Sequence, residues 1–290
     1  MKKKLYMTIF VCALFLTGLS LLLYPFVANQ WNNYRQKQLI STYEEMVAKS
    51  TQAGKIDYEA QWGRARSYND ALLPYILPDS FASEAAEAGM GDRAYMECLN
   101  LTGDGMMGYV QIPRIKIRIP IFHTTDEEIL QKAAGHLPGS SLPAGGEGTH
   151  AVISAHRGLP SAALFTDLDK LEKGDYFLLY ILDDVLCYQV DRITEVEPTD
   201  TSALVSEEGK DLVTLLTCTP YGVNSRRLLV RGTRVPYQGV EEEGTPAALL
   251  GTSLHTSYLL WVIVGLGVTG AFILFLYFHD RKQKMGAGNT

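Results

Sequence analysis

Leu212-Val-Thr-Leu-Leu-Thr-Cys218-Thr-Pro-Tyr-Gly222, followed after three residues by Arg226-Arg-Leu-Leu-Val-Arg-Gly232, is the stretch on which the reading of this chain turns. A short apolar-rich run bounded by turn residues reads as a strand, so a strand delivers Cys218, and Pro220 with Gly222 stops it. A side chain at a strand end beside a Pro/Gly loop faces a cleft while the sheet holds its backbone, which suits a nucleophile. An inert cysteine buried in a sheet is the commoner fate and stands as the alternative. If the next strand pairs antiparallel, it returns an arginine towards the thiol, where a guanidinium could stabilise an oxyanion by charge-assisted hydrogen bonds. Strand alternation sends Arg226 and Arg227 to opposite faces, and composition does not choose between them.

Upstream, Ala151-Val-Ile-Ser-Ala-His156-Arg-Gly158 repeats the pattern of an apolar strand ending before a glycine turn. A cysteine and a histidine meeting from separate strand ends would form a thiol paired with imidazole. The bland reading is a histidine that satisfies a local backbone group; His123, His136 and His150 lie in turn or glycine-rich segments and are less well placed. Further strands are predicted at Tyr109–Ile112, Ile115–Ile119 with Ile121-Phe122, Tyr176–Leu182 and Leu186–Ile193. Several short strands between Gly/Pro turns, with one or two short helices, imply a mainly β fold, either a sandwich or a closed barrel.

Outside this core, Leu5–Ala28 and Ser257–Phe278 each run without Asp, Glu, Lys or Arg. Each is long enough to cross a hydrocarbon layer of about 30 Å as a helix. Lys2, Lys3 and Lys4 would also suit a signal peptide. The first apolar stretch exceeds an ordinary signal core, however, and Trp31 and Tyr34 look like interfacial anchors. Trp261, Tyr277 and the basic Arg281, Lys282 and Lys284 bracket the second stretch. Lys2–Lys4 and Arg281, Lys282 and Lys284 lie outside both apolar windows, so the positive-inside rule puts both termini in the cytoplasm and the middle, with a net charge of −11 over residues 29–279 against +5 at the ends, outside. An acidic exterior argues against nucleic-acid binding.

The expected organisation is a cytoplasmic tail and N-terminal span over residues 1–28, a helical stalk and lid over 29–105, a β-domain over 106–237, an acidic linker over 238–256, and a C-terminal span with a basic tail over 257–290. Trp31–Leu73 has apolar residues at helical spacing and reads as one or two exposed helices. Within the loop-like stretch Pro74–Gly105, Ser83–Ala88 and Arg93–Leu99 could be short helices. Of the four cysteines, Cys12 falls in the first span, Cys98 and Cys187 could pair in an oxidising exterior, and Cys218 is then the odd thiol. No Cys-x-x-Cys spacing suggests zinc, and no metal site is expected.

Thr214-Leu-Leu-Thr-Cys218 resembles the active-site signature of the sortase superfamily. Ser154-Ala-His-Arg-Gly158 resembles its histidine motif, and Arg227-Leu-Leu-Val-Arg-Gly232 its arginine strand. The resemblance spans about Gly108 to Tyr237 and implies a closed sortase-type β-barrel. It implies Cys218 as nucleophile, His156 as proton-transfer partner and Arg227 as the stabilising arginine, with no cofactor. It also implies as partners secreted proteins with an LPxTG-like signal and an amine acceptor, a pilin lysine or a cell-wall peptide. Two spans and an N-terminal lid resemble class C, the pilus-assembling sortases. The class C lid usually bears Asp-Pro-aromatic; here Asp79-Ser80-Phe81 departs from it at the central residue, so the lid is expected to be less rigid. Housekeeping sortases resemble the core equally but typically have one anchor and no lid. A papain-like protease would place its cysteine at a helix N-terminus rather than a strand end, and a non-catalytic tethered β-domain would leave Cys218 unreactive.

Overall fold

A computed structural model describes residues 2–53, 56–72, 79–82, 87 and 90–237, and four residues between 265 and 270. It divides into two compact units, Met1–Phe26 with Thr252–Thr290, and Val27–Gly251. The first contains the apolar part of helix α1 (Lys2–Ala53), whose mean hydropathy of 2.2 over its most apolar window makes it long and apolar enough to cross a membrane. The C-terminal span expected at 257–278 lies almost wholly outside the described residues, as do the 238–256 linker and nearly all of Ser83–Ala88.

In the second unit eight strands close into a barrel: β1 (Met106–Ile112), β2 (Ile117–Phe122), β3 (Ala134–His136), β4 (Thr149–Ser154), β5 (Tyr176–Ile181), β6 (Asp184–Val196), β7 (Asp211–Thr219) and β8 (Arg226–Val235). Their order around the barrel is β1-β2-β3-β4-β7-β8-β6-β5, with β2–β3 and β4–β7 parallel and every other pair antiparallel. The open choice between sandwich and barrel is thereby resolved. Strand β3 has no counterpart among the predicted strands, because Ala134-Gly-His136 is too short to show alternation. Its glycine is required: a Cβ on Gly135 would lie 2.2 Å from the carbonyl oxygen of Thr124.

Alternation explains the two apolar layers. On β7, Val213 and Leu215 face the barrel core with Ile153 of β4 and Val230 of β8, while Leu216 faces outward with Val152 and Leu229. That outer face is itself covered by Leu137, Leu204 and Phe81, so β7 is buried on both sides and its sequence is almost continuously apolar. On β6 a bulge between Val190 and Arg192 turns Asp191 towards Arg231, which donates to both its carboxylate oxygens at 3.0 and 2.6 Å.

The helices expected to be exposed are packed instead. Ile40 and Tyr43 of α1 are buried with Met106, Tyr109 and Phe122. The Tyr43 hydroxyl donates to the Met107 carbonyl at 3.0 Å and accepts from the Leu182 N–H at 2.7 Å, joining β1 to the end of β5. Helix α2 (Tyr58–Ala71) buries Trp62, whose indole N–H donates to Asp183, and its Asn69 brackets the backbone of Leu142 with two hydrogen bonds. Helix α3 (Arg93–Glu97) is capped by Asp92. The polar composition of these segments hid the contacts, which are made largely by hydrogen-bonding groups. The open question of whether Cys98 and Cys187 pair is answered: both are free thiols. Cys98 joins the core cluster, whereas Cys187 lies between two core residues of β6, Leu186 and Tyr188, and so points to the opposite side of the strand.

Tyr43→Phe should destabilise the barrel by about 1–3 kcal/mol in urea unfolding, because it leaves the buried Leu182 N–H without an acceptor.

Candidate active site

The pairing of β7 with β8 sets Cys218 directly opposite Arg227. The parallel pairing of β4 with β7 runs to Ser154 opposite Leu216, and continuing it by two residues brings His156 level with Cys218. The connection is fastened by the Ala155 N–H donating to the Leu216 carbonyl and by the Thr217 hydroxyl donating to the Ala155 carbonyl at 2.7 Å. Alternation then resolves the choice between the two arginines. Arg227 is buried on the Cys218 side, whereas Arg226 is half-exposed and reaches Glu195 and Glu197.

Asp79, Ser80 and Phe81 close over this convergence. Arg227 donates Nε–H to Asp79 Oδ1 at 2.9 Å and Nη2–H to Oδ2 at 2.6 Å, and its Nη1 donates to the carbonyls of Asn224 and Arg226. The Phe81 ring stacks on the His156 imidazole with centroids 5.2 Å apart, and the Arg227 guanidinium carbon lies 5.2 Å from the same ring. Beneath, Phe81 packs on the apolar floor made by Val152, Leu216 and Leu229. The segment is a turn closed by the Ala82 N–H donating to the Asp79 carbonyl at 2.9 Å. Ser80 occupies its second position, where proline is favoured but most residues fit, so the family's proline is replaced without loss of the turn.

Electrostatics follow from this enclosure. Burial pushes the Cys218 thiol up; Arg227 pulls it down and Asp79 pushes it up again. Asp79 in turn holds the Arg227 guanidinium still more firmly protonated through its hydrogen bonds.

The chain matches the sortase domain model over residues 110–235. It is 45% identical to the solved sortase C of Streptococcus pneumoniae, covering 69% of this chain and 97% of that one with a TM-score of 0.60. It is 41% identical to sortase C1 of group B Streptococcus pilus island 1, covering 72% and 96% with a TM-score of 0.59. This chain belongs to the sortase family, class C. Sortase A of Bacillus anthracis is a more distant relative, 29% identical over 152 residues that make up 52% of this chain and 70% of that protein. The sortase is accordingly a cysteine transpeptidase.

All five residues singled out in the sequence, Cys218, His156, Arg227, Asp79 and Phe81, are brought together. The other histidines of the barrel are kept apart from them. His123, His136 and His150 are buried and hydrogen-bonded to backbone carbonyls, and burial holds each below the ordinary imidazole range, His136 at about 4. Two neighbours of the site were not legible. Arg157 reaches Asp169 and the Thr219 hydroxyl and lies against Tyr221, and Glu127 comes from helix α4 (Glu127–Leu130), with its Oε2 3.5 Å from His156 Nε2. Glu127 lies in no motif, and although Arg157 falls within the Ser154–Gly158 motif, nothing in the sequence pointed to Asp169, Thr219 or Tyr221 as its partners.

Asp79→Asn should move the pH midpoint of Cys218 alkylation by iodoacetamide to lower pH, since it removes a charge that disfavours the thiolate and frees Arg227 to favour it. Site-resolved mass spectrometry across pH checks this; an unmoved or raised midpoint contradicts it.

Proposed function

We propose that this sortase polymerises pilins through Cys218, His156 and Arg227. The observation carrying the reading is the cross-strand pair Cys218–Arg227 beneath a turn that holds the arginine through Asp79 and the histidine through Phe81. Support comes from its solved neighbours: the pneumococcal sortase C is described in terms of its pilin substrate specificity, and the group B streptococcal one is named for a pilus island.

In this mechanism the Cys218 sulfur attacks the threonine carbonyl of an LPxTG-like signal, and negative charge develops on the carbonyl oxygen. Arg227 donates to that oxygen, the term worth most in acyl transfer. As the tetrahedral species collapses, the C–N bond to glycine breaks and the His156 imidazolium protonates the departing amine. A thioester remains, which conserves the acyl group without nucleotide or cofactor. A pilin lysine amine then attacks the thioester carbon and passes its proton to His156. The Cys218 thiolate leaves, and an isopeptide bond has formed.

Asp79 and Phe81 act as a lid. In the closed arrangement Asp79 occupies the guanidinium donors that an oxyanion would use, and Phe81 fills the apolar floor beside the thiol. Substrate therefore gains the site by displacing an ion pair and an aromatic ring. The localisation that fits is a two-pass membrane protein with both termini in the cytoplasm and the barrel outside.

Cys218→Ala should abolish both thioester and polymer, and Arg227→Ala should slow thioester formation by about 10²–10³-fold. Mass spectrometry of the full chain with a sorting-signal peptide and a lysine acceptor measures both; polymer formed by the cysteine variant would end the proposal. Replacing Asp79 and Phe81 together by alanine should speed alkylation of Cys218, and an unchanged rate would dismiss the lid.

A further inference from the structure

We propose that Glu127 is a positioning residue for the transfer reaction, holding the His156 imidazole from the side opposite its strand connection. This inference rests on the reading of His156 as the proton carrier and adds a partner that the cysteine, histidine and arginine motifs do not contain.

The His156 Nε2 atom is shielded from solvent and has no hydrogen bond within the described residues. The nearest carboxylate oxygen is Oε2 of Glu127 at 3.5 Å, too long for a strong hydrogen bond but close enough for an ion pair once the imidazole is charged. The Glu127 side chain is about two-thirds exposed but is held by a second contact. Its other oxygen, Oε1, accepts from the Gln131 side-chain amide at 3.0 Å, which leaves Oε2 free for the histidine. Asp126 caps the helix by accepting from the Glu128 N–H at 2.8 Å.

A helix as short as α4 has little stability of its own, so its position must be imposed from outside. Helix α1 imposes it: Gln36 donates to the Lys132 carbonyl at 2.7 Å and Asn32 donates to the same oxygen at 3.4 Å, just beyond the end of α4. Three residues before Asn32, Asn29 accepts from the Ala163 N–H, in the loop that follows His156, and the Phe165 N–H of that loop donates to the His156 carbonyl. Asn29, Asn32 and Gln36 are all buried, and their spacing puts them on one face of α1. A single helical face thus grips both the carboxylate-bearing helix and the histidine-bearing loop. This gives a chemical purpose to polar residues that would otherwise be an expensive choice for a buried face.

The groups bearing on the imidazole are Glu127 from α4, Cys218 from β7, Arg227 from β8, and Asp79 with Phe81 from the covering turn. Arg157, next in the chain, is turned to Asp169 and Thr219. Because Asp79 is taken up by Arg227, Glu127 is the carboxylate left to face and orient the imidazole. It steadies the ring that, in the proposed mechanism, protonates the departing glycine amine.

The test uses the full chain in detergent with isotope-labelled histidine. Glu127→Gln should change the ring ¹⁵N NMR chemical shifts of His156 at fixed pH, because the Oε2 contact is lost, and should slow thioester formation on a fluorescent Leu-Pro-Ala-Thr-Gly peptide on the order of tenfold, a part of the 10²–10⁴ that a general acid contributes. Glu127→Asp, which keeps the charge, should recover part of both effects. Unchanged His156 ring shifts in Glu127→Gln overturn the proposal whatever the turnover does, since a merely structural role would lower turnover alone. His156→Ala is run alongside: retained transfer there would remove the proton-carrier reading itself, while a dead His156→Ala beside a Glu127→Gln of native rate and native His156 ring shifts would remove only the role of Glu127.

Discussion

Strand β7 is the seam on which the molecule depends. It pairs parallel with β4 on one side and antiparallel with β8 on the other, so the ends of three strands converge on one point. Parallel neighbours run out in the same direction, which brings His156 beyond β4 level with Cys218 on β7. The antiparallel neighbour starts where β7 ends, which sets Arg227 opposite the same cysteine. Both faces of β7 are buried, so a one-residue slip would exchange the core face with the outer face and would carry Cys218 into the barrel. With both faces apolar, the register is held by side-chain fit and by hydrogen bonds such as the Thr217 hydroxyl to the Ala155 carbonyl.

Around that seam the charges are arranged in opposition. A buried guanidinium beside a buried thiol would favour the thiolate, yet Asp79 ties up the guanidinium on both Nε and Nη2 and adds a negative charge of its own. Burial is the largest cause raising the Cys218 thiol, with Asp79 adding to it against Arg227, and under the proposed mechanism the ion pair that holds the cover also restrains the nucleophile. Separation of the pair would release both constraints together. The side chains are about one-tenth and one-fifth exposed, so the pair is only partly desolvated and lies near enough to water to be broken by a competing ligand.

Helix α1 contributes through polar contacts as well as the apolar cluster of Ile40 and Tyr43. Its residues from Val27 onward supply Asn29, Asn32, Gln36 and Tyr43, each buried and each hydrogen-bonded to backbone of the barrel or its loops. Such contacts are directional, so they orient elements more sharply than apolar burial does. They also give the segment the polar composition of a free-standing helix, which is why it reads as exposed.

What the sequence determined by itself was local: strand ends at Cys218 and His156, the arginine strand, the apolar N-terminal helix and the covering Asp79 and Phe81. These were legible because a strand stopped by a Pro/Gly turn and a span without charges write their periodicity and composition into neighbouring residues, and because three motifs in order resemble one family. Only the tertiary structure decided that Arg227 rather than Arg226 faces the thiol by geometry, that β3 closes the barrel, that Cys98 and Cys187 stay apart, and that Glu127 stands beside His156. Each of these depends on contacts between residues far apart in the chain. Neither spacing nor hydrophobic period carries that information; it resides in strand order and register, which exist only once the barrel has closed.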